Sequence, residues 1–249
     1  MTTTQTNFQR PAIIVLMKAP RAGAVKTRLV PALTPDDAAA LAACFACDVV
    51  TQMRGIARRI QGARVIVAYA PDDGQAEIET LLANRSPENI NTPVAWHAQR
   101  GAHLGERLAN VCADAFAAGC APVVITGTDS PTLPAAHIES AVRRLMRGDC
   151  DICIGGTSDG GYYLVGLRAH APAVFQNIEW STPRVYGQTL HRAARLGLRA
   201  CELPRWYDVD EPEDLLRLRE EFRVSEEARS LAPTTHAWLL RNRDLSNLT

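Results

Sequence analysis

Lys18 and Lys26, the only lysines among 27 basic residues, fall together in IIVLMKAPRAGAVKTRL, the stretch from Ile13 to Leu29. An apolar run ends at Lys18, and a turn of small residues then carries Arg21, Gly23, Lys26 and Arg28. Backbone amides at such a turn, together with Lys26 and Arg28, would cradle a polyphosphate, because amide dipoles and cationic side chains both favour anionic oxygens. Carboxylates stand at two distant places. Asp129 follows the apolar run PVVITG in TDSPTLP, and Asp208 and Asp210 stand in WYDVDEPEDL. One or two carboxylates plus substrate oxygens commonly hold a hard cation, so Asp129 with Asp208 or Asp210 is a candidate site for Mg2+ or Mn2+. Glu211, Glu213 and Asp214 are read more simply as acids complementing the start of the next helix.

Other chemistries lack their residues. A phosphate loop of the form GxxxxGK[ST] would end at Lys26-Thr27, but its two glycine positions are Pro20 and Val25. There is no GxGxxG, and the six histidines show no HExxH spacing. The one GxSxG match, GTSDG at 156–160, falls in a short turn between two strand patterns and not between a strand and a helix, so it is no nucleophile elbow. Cys44/Cys47 and Cys150/Cys153 have CxxC spacing, but they sit in helical and strand patterns without the turns of a zinc knuckle. They are expected to be core thiols.

To act together, the lysines and acids need a scaffold that gathers chain ends. AIIVLM (12–17), RVIVAYA (64–70), TPVAWHA (92–98) and PVVITG (122–127) read as strands, each followed by a helical pattern. The first helix starts at Thr34-Pro35-Asp36-Asp37 and is expected to run to about Gly55. Such alternation implies a parallel sheet with helices on both faces, a three-layer α/β/α sandwich. DICIGG and GYYLVGL, joined by a short TSDG turn, predict a β-hairpin excursion, with Tyr162 and Tyr163 facing opposite ways. Ser181 or Thr182 is placed to cap a helix beginning at Pro183. Ligands of open parallel sheets sit at the carboxyl ends of the strands, which is where the basic loop and Asp129 fall.

Bulk properties bound the partners. At 249 residues the chain suits one large domain, read as 12–223, with a disordered tail over 1–11 and a partly helical extension over 224–249. Twenty-seven acids balance the 27 basic residues, so no whole-protein field draws nucleic acid or an anionic membrane. No continuous apolar run approaches the roughly 20 residues that cross a bilayer, and the first ten lack a signal-peptide core. A cytoplasmic protein is expected.

The motifs KAPRAGAVKTRL, GTDSPTLP, SDGGYYLVGL, WST and DVDEPEDL, in that order, resemble the nucleotide-diphospho-sugar transferase (GT-A) superfamily. They are most similar to its bacterial branch of arsenosugar-type or selenium-associated glycosyltransferases, itself similar to 2-phospholactate guanylyltransferases. The resemblance spans Ala12 to about Phe222. It implies a divalent metal and a nucleotide, NTP or NDP-sugar, held over the first strand, with transfer of a sugar or nucleotidyl group to a small-molecule acceptor. On this resemblance Lys18, Arg21, Gly23, Lys26 and Arg28 bind the nucleotide phosphates, and Lys26, Asp129 and Asp210 carry catalysis. The metal falls to Asp129 with Asp210 or Asp208. Gly105, Glu106 and Arg107 of GAHLGERL lie near the base or ribose, and Asp159, Gly160, Gly161, Tyr162, Trp180 and Ser181 line the acceptor or sugar side. One departure is informative. Sugar transferases of this fold usually carry an Asp-x-Asp pair, whereas Thr128-Asp129-Ser130 holds a single acid, which favours nucleotidyl transfer. Two carboxylates beside a basic loop also exceed what a non-catalytic nucleotide-binding or scaffold protein needs.

Overall fold

The computed structural model describes residues 10–30, 32–85 and 92–242. The tail expected over 1–11 lies outside the described residues up to position 9, and from Arg10 the chain is already in the sheet. Seven strands form that sheet: β1 (Arg10–Lys18), β2 (Arg64–Ala70), β3 (Val94–Ala98), β4 (Cys120–Thr126), β5 (Ile152–Thr157), β6 (Tyr162–Leu167) and β7 (Ala200–Trp206). Their order is β3-β2-β1-β4-β6-β5-β7. All neighbours are parallel except β6, which runs antiparallel to both β4 and β5. The expected hairpin is therefore present, and its second strand is inserted beside β4.

β1 explains the layering. Its continuous apolar run, rich in β-branched residues, suits a strand covered on both faces, and Ile13, Ile14 and Val15 are fully buried. Ile13, Val15 and Met17 pack under α1 (Pro35–Arg59), α2 (Gln75–Arg85) and α4 (Ala135–Arg147). Ala12 and Ile14, one residue out of phase, face α3 (Leu104–Ala117) and α5 (Val185–Arg195). The arrangement is a three-layer sandwich.

α1 starts as its sequence implies, with the Thr34 hydroxyl accepting the Asp37 amide at 3.1 Å. It does not stop near Gly55 but continues to Arg59. A glycine inside a helix costs about 1 kcal/mol relative to alanine, which burial of Ile56 and Ala57 exceeds. By length and composition α1 could cross a membrane, yet 72% of its apolar window is buried within this fold. The four thiols of the CxxC pairs are likewise buried.

The C-terminal segment is built into the domain. α6 (Pro212–Val224), α7 (Glu226–Leu231) and α8 (Pro233–Arg241) close a third apolar cluster with Leu41 and Phe45 of α1, where Trp238 and Leu239 are buried. Asp48 of α1 accepts the Thr234 and Thr235 amides at 3.0 and 2.8 Å, capping α8 from a neighbouring helix. Gln52, one turn on, donates to Leu231 O and also to Pro131 O, so α1 ties the C-terminal helices to the loop carrying Asp129.

Candidate active site

The strand order reverses between β1 and β4, and a cavity of about 450 Å³ opens at their carboxyl ends. β1 ends in Lys18, and β4 leads into Gly127, Thr128 and Asp129; all four residues line the cavity. β7 brings the second acid segment to the same place. There the Val209 amide donates to Asp129 O at 2.8 Å, so the two acid-bearing loops are tied backbone to backbone.

Lys26 closes this corner. Its ammonium donates to Val209 O at 2.8 Å, to Asp210 Oδ1 at 2.9 Å and to Asp129 Oδ1 in a short contact. The side chain is 5% exposed, against 45% and 38% for its two carboxylate partners. The sequence places Lys26 in a turn of small residues read as a phosphate cradle; the fold covers its side chain, with the Phe45 ring 5.3 Å from its nitrogen. Burial would lower its pKa, but Asp129 and Asp210 outweigh that and raise it, so the ammonium stays charged. Its backbone adopts φ 48° and ψ 36°, the left-handed region that a lysine seldom occupies.

Asp208 has a different environment. It accepts a hydrogen bond from the Ser130 hydroxyl and makes no contact with Lys26 as close as those of its neighbours. Burial, then the negative charges of Asp129 and Asp210, push its carboxyl up to about 7. Two carboxylates thus share one cation, while a third, Asp208, lines the same cavity and is held by Ser130. Among the described residues no group of three His, Cys, Asp or Glu side chains converges to hold a metal. Asp129 and Asp210 nevertheless already converge on one cationic centre, which fits a hard ion completed by substrate oxygens.

Lys18 and Arg107 also line the cavity. Arg107 projects from the first turn of α3 and donates to Gly101 O at 3.1 Å; among the described residues neither cation is paired with a carboxylate. Gln99, which the sequence reading passed over, also lines the space and bridges Met17 O and Ala68 O at 3.1 and 2.7 Å. Its position just after β3 was the available signal. Leu104 and Leu108 of α3 add an apolar wall.

Tyr162 and Tyr163 point to opposite faces as expected. Tyr163 enters the core under α4 and donates to Pro204 O at 2.8 Å. Tyr162 lines the cavity with its ring edge-on to Trp180 at 6.4 Å. Its hydroxyl is buried with no hydrogen-bond partner among the described residues. Trp180 in turn lies on Gly105, where a Cβ would come within 2.4 Å of the indole nitrogen, so this glycine is required by close packing.

The remaining candidates are not brought into the cavity lining. Arg21 pairs with Asp73 and Glu77 at 3.1 and 2.8 Å, and Arg28 pairs with Glu211 on the surface. Gly23 supplies a turn at φ 74°. Glu106 accepts the Ala102 amide at 2.8 Å and closes the loop entering α3. Asp159 accepts the Gly161 amide and the Thr157 hydroxyl inside its own hairpin turn, and Gly160, at φ 90°, lies against Pro183 O. Ser181 occupies a left-handed turn at φ 64°. The helix expected from Pro183 begins at Val185 with Arg184 as its cap, because Thr182 is used in the turn, donating to Glu179 O.

The fold is that of the nucleotide-diphospho-sugar transferases. Residues 55–182 match the family described as "Uncharacterized protein conserved in bacteria (DUF2064)", and the chain belongs to that family. A crystal structure from Desulfovibrio desulfuricans G20, provisionally named a nucleotide-diphospho-sugar transferase, is similar at 32% identity and a TM-score of 0.78, covering 95% of this chain and 96% of that one. A cytidylyltransferase from Leptospira borgpetersenii shares the fold at 10% identity and TM-score 0.52, over 95% and 96% of the two chains. A 4-diphosphocytidyl-2C-methyl-D-erythritol synthase from Anaerococcus prevotii does so at 8% identity and TM-score 0.54, over 86% and 96%. No curated protein matches the chain.

Proposed function

We propose that this protein is a cytoplasmic, metal-dependent transferase that uses a nucleotide donor, and that it transfers a nucleotidyl group to a small acceptor. The carrying observation is one cavity at the strand-order reversal, lined both by Lys18 and Arg107, which have no carboxylate partner among the described residues, and by Asp129 and Asp210. A nucleoside triphosphate needs both, cations for its outer phosphates and carboxylates for the ion that accompanies it. The names of the Desulfovibrio and Leptospira proteins support a nucleotide donor. The single acid of Thr128-Asp129-Ser130 supports the nucleotidyl version over sugar transfer.

In this reading Lys18 and Arg107 hold the phosphates, and Leu104 and Leu108 exclude water from one wall. Asp129 and Asp210 hold Mg2+ or Mn2+, which when bound supplies Lewis-acid neutralisation of phosphoryl charge. An acceptor oxygen attacks the α-phosphorus, the bond from that phosphorus to the bridging oxygen breaks, and pyrophosphate leaves. The protein contributes position and electrostatics more than covalent chemistry. The test is incubation with Mg2+ or Mn2+, panels of NTPs and NDP-sugars, and a mixed acceptor pool. Pyrophosphate release supports the proposal. Release of NDP would convert it to sugar transfer, and nucleotide binding with release of neither would leave a binding protein.

A further inference from the structure

We propose that Lys26 is a displaceable internal cation: its ammonium and a divalent ion alternate between Asp129 and Asp210, and the displaced ammonium becomes a ligand of the substrate polyphosphate. This rests on the nucleotide-and-metal reading above and adds an order of events to it. The carboxylates that fit the metal are the ones Lys26 contacts, at 2.9 Å to Asp210 and more closely to Asp129. An ammonium and a divalent cation repel, so they compete for the same two carboxylates. Without an ion, Lys26 keeps the two carboxylates from repelling each other and holds the two loops in place.

The displaced ammonium has somewhere to go. Ala24, Val25, Lys26 and Thr27 all border the same cavity as Lys18 and Arg107, so the released side chain faces the space assigned to phosphates. Its four-carbon stem has several rotatable bonds, and apart from the two carboxylates its one hydrogen-bond acceptor among the described residues is Val209 O. The left-handed backbone at Lys26 marks a residue kept in place by its contacts and not by its intrinsic preference. Lys18 and Arg107 give two positive charges against the roughly four negative charges of a triphosphate at neutral pH; Lys26 adds a third. Ion and polyphosphate must then reinforce each other's binding, since the ion frees a phosphate ligand and the phosphate stabilises its release.

The experiment measures Mn2+ binding to the full chain by electron paramagnetic resonance, with and without a non-hydrolysable nucleoside triphosphate, in wild type, Lys26→Met and Lys18→Met. Lys26→Met should bind Mn2+ on the order of tenfold or more tightly than wild type without nucleotide, because its site is no longer filled internally. It should also lose most of the tightening that nucleotide produces in wild type. Lys18→Met should not gain Mn2+ affinity. Equal Mn2+ affinity in wild type and Lys26→Met would overturn the exchange while leaving the metal reading intact. Failure of all three to bind Mn2+ even with nucleotide would overturn both. Should Lys26→Met misfold, the wild type still decides: with only two lysines, its two side-chain ammonium signals are separable by NMR after lysine labelling. At saturating Mg2+ the Lys26 signal should move toward that of a solvated lysine; an unmoved signal sinks the proposal.

Discussion

Lys18 and Lys26 flank one turn and line one cavity, yet they meet it in different electrostatic states. Lys18 ends a buried strand, is exposed, and has no carboxylate partner among the described residues. Lys26 is 5% exposed and lies between two carboxylates that the chain reaches only after 103 and 184 further residues. Identical side chains close together in sequence therefore carry different duties. Lys18 and Arg107 are charges held ready for an anion, whereas the Lys26 charge already balances Asp129 and Asp210. A basic loop cannot be assessed by counting its cations; what counts is how many are left unpaired after folding.

The largest effect expected from this contrast is on the acid side. Asp129→Asn or Asp210→Asn keeps the shape of the corner and removes a hard oxygen charge. Each should lower turnover on the order of a hundredfold or more, since the lost Lewis-acid stabilisation is worth several kcal/mol at about 1.4 per factor of ten. The double variant should be little worse than either single one, because both disable one ion. Steady-state kinetics on the donor found by the substrate panel provides the measurement. Additive losses would mean that the two carboxylates do not share a function.

Next comes the cation side. Lys18→Met or Arg107→Met should weaken nucleotide binding by about 1.5–3 kcal/mol, the range for a charge-assisted hydrogen bond, with little change in stability. Lys26→Met should do the reverse in the metal-free protein. It leaves two carboxylates facing each other, and should cost roughly 1–3 kcal/mol of stability, below the 3–5 of a fully buried pair because both partners are more than a third exposed. Calorimetry and urea unfolding on the three variants separate the two kinds of lysine. Equal stability losses at Lys18 and Lys26 would erase the distinction.

How far this was readable in the sequence differs between its parts. Strands 12–17, 64–70 and 122–127, each within two residues of its observed bounds, the capped start at Thr34 and the hairpin were legible because periodicity and turn chemistry are local, and the first and third strands place Lys18 and Asp129 at strand ends. The covering of Lys26 was not legible, since it depends on Phe45 from α1 and on loops after β4 and β7. The motifs mark Gly105 and Trp180 as residues but not as partners, because the close approach that requires a glycine is a tertiary fact. The same holds for Asp159, whose oxygen is engaged by its own turn. The last two helices, α7 and α8, carry no catalytic motif; α1 holds them through Asp48 and Gln52, two polar residues inside an apolar helix, and Gln52 also reaches Pro131 in the loop after Asp129.

A smaller effect sharpens the difference within the acid side. Asp208 is raised to about 7 by burial and by Asp129 and Asp210, whereas an unfolded aspartate titrates near about 3.9. The folded protein thus binds this proton more tightly than the unfolded chain does. Its stabilising contribution is full below the unfolded value and is lost as pH rises toward about 7. In metal-free protein, Asp208→Asn should keep an acceptor for Ser130 and should become the more stable of the two as pH climbs through that window. Thermal unfolding at several pH values measures the difference between wild type and variant. A constant difference would show that Asp208 is not the acid under strain, and a loss of turnover matching that of Asp210→Asn would make it the second metal ligand instead.

The smallest expected effect concerns Arg28, the other basic residue of the loop's second half. It pairs with Glu211 with its side chain 65% exposed, and exposed pairs are worth about 0–1 kcal/mol. Arg28→Ala should therefore leave stability within about 1 kcal/mol of wild type and nucleotide affinity unchanged, because the guanidinium is already engaged outside the cavity lining. The transferase resemblance assigns Arg28 to the phosphates, and on that assignment the same variant would lose about 1.5–3 kcal/mol of nucleotide affinity. Glu211→Gln separates the two cases further. If the pair only occupies Arg28, releasing it should tighten nucleotide binding; if the pair merely decorates the surface, nothing changes. Calorimetric titration of both variants with one nucleoside triphosphate then decides whether the loop offers its ligand two cations or recruits a third from the surface.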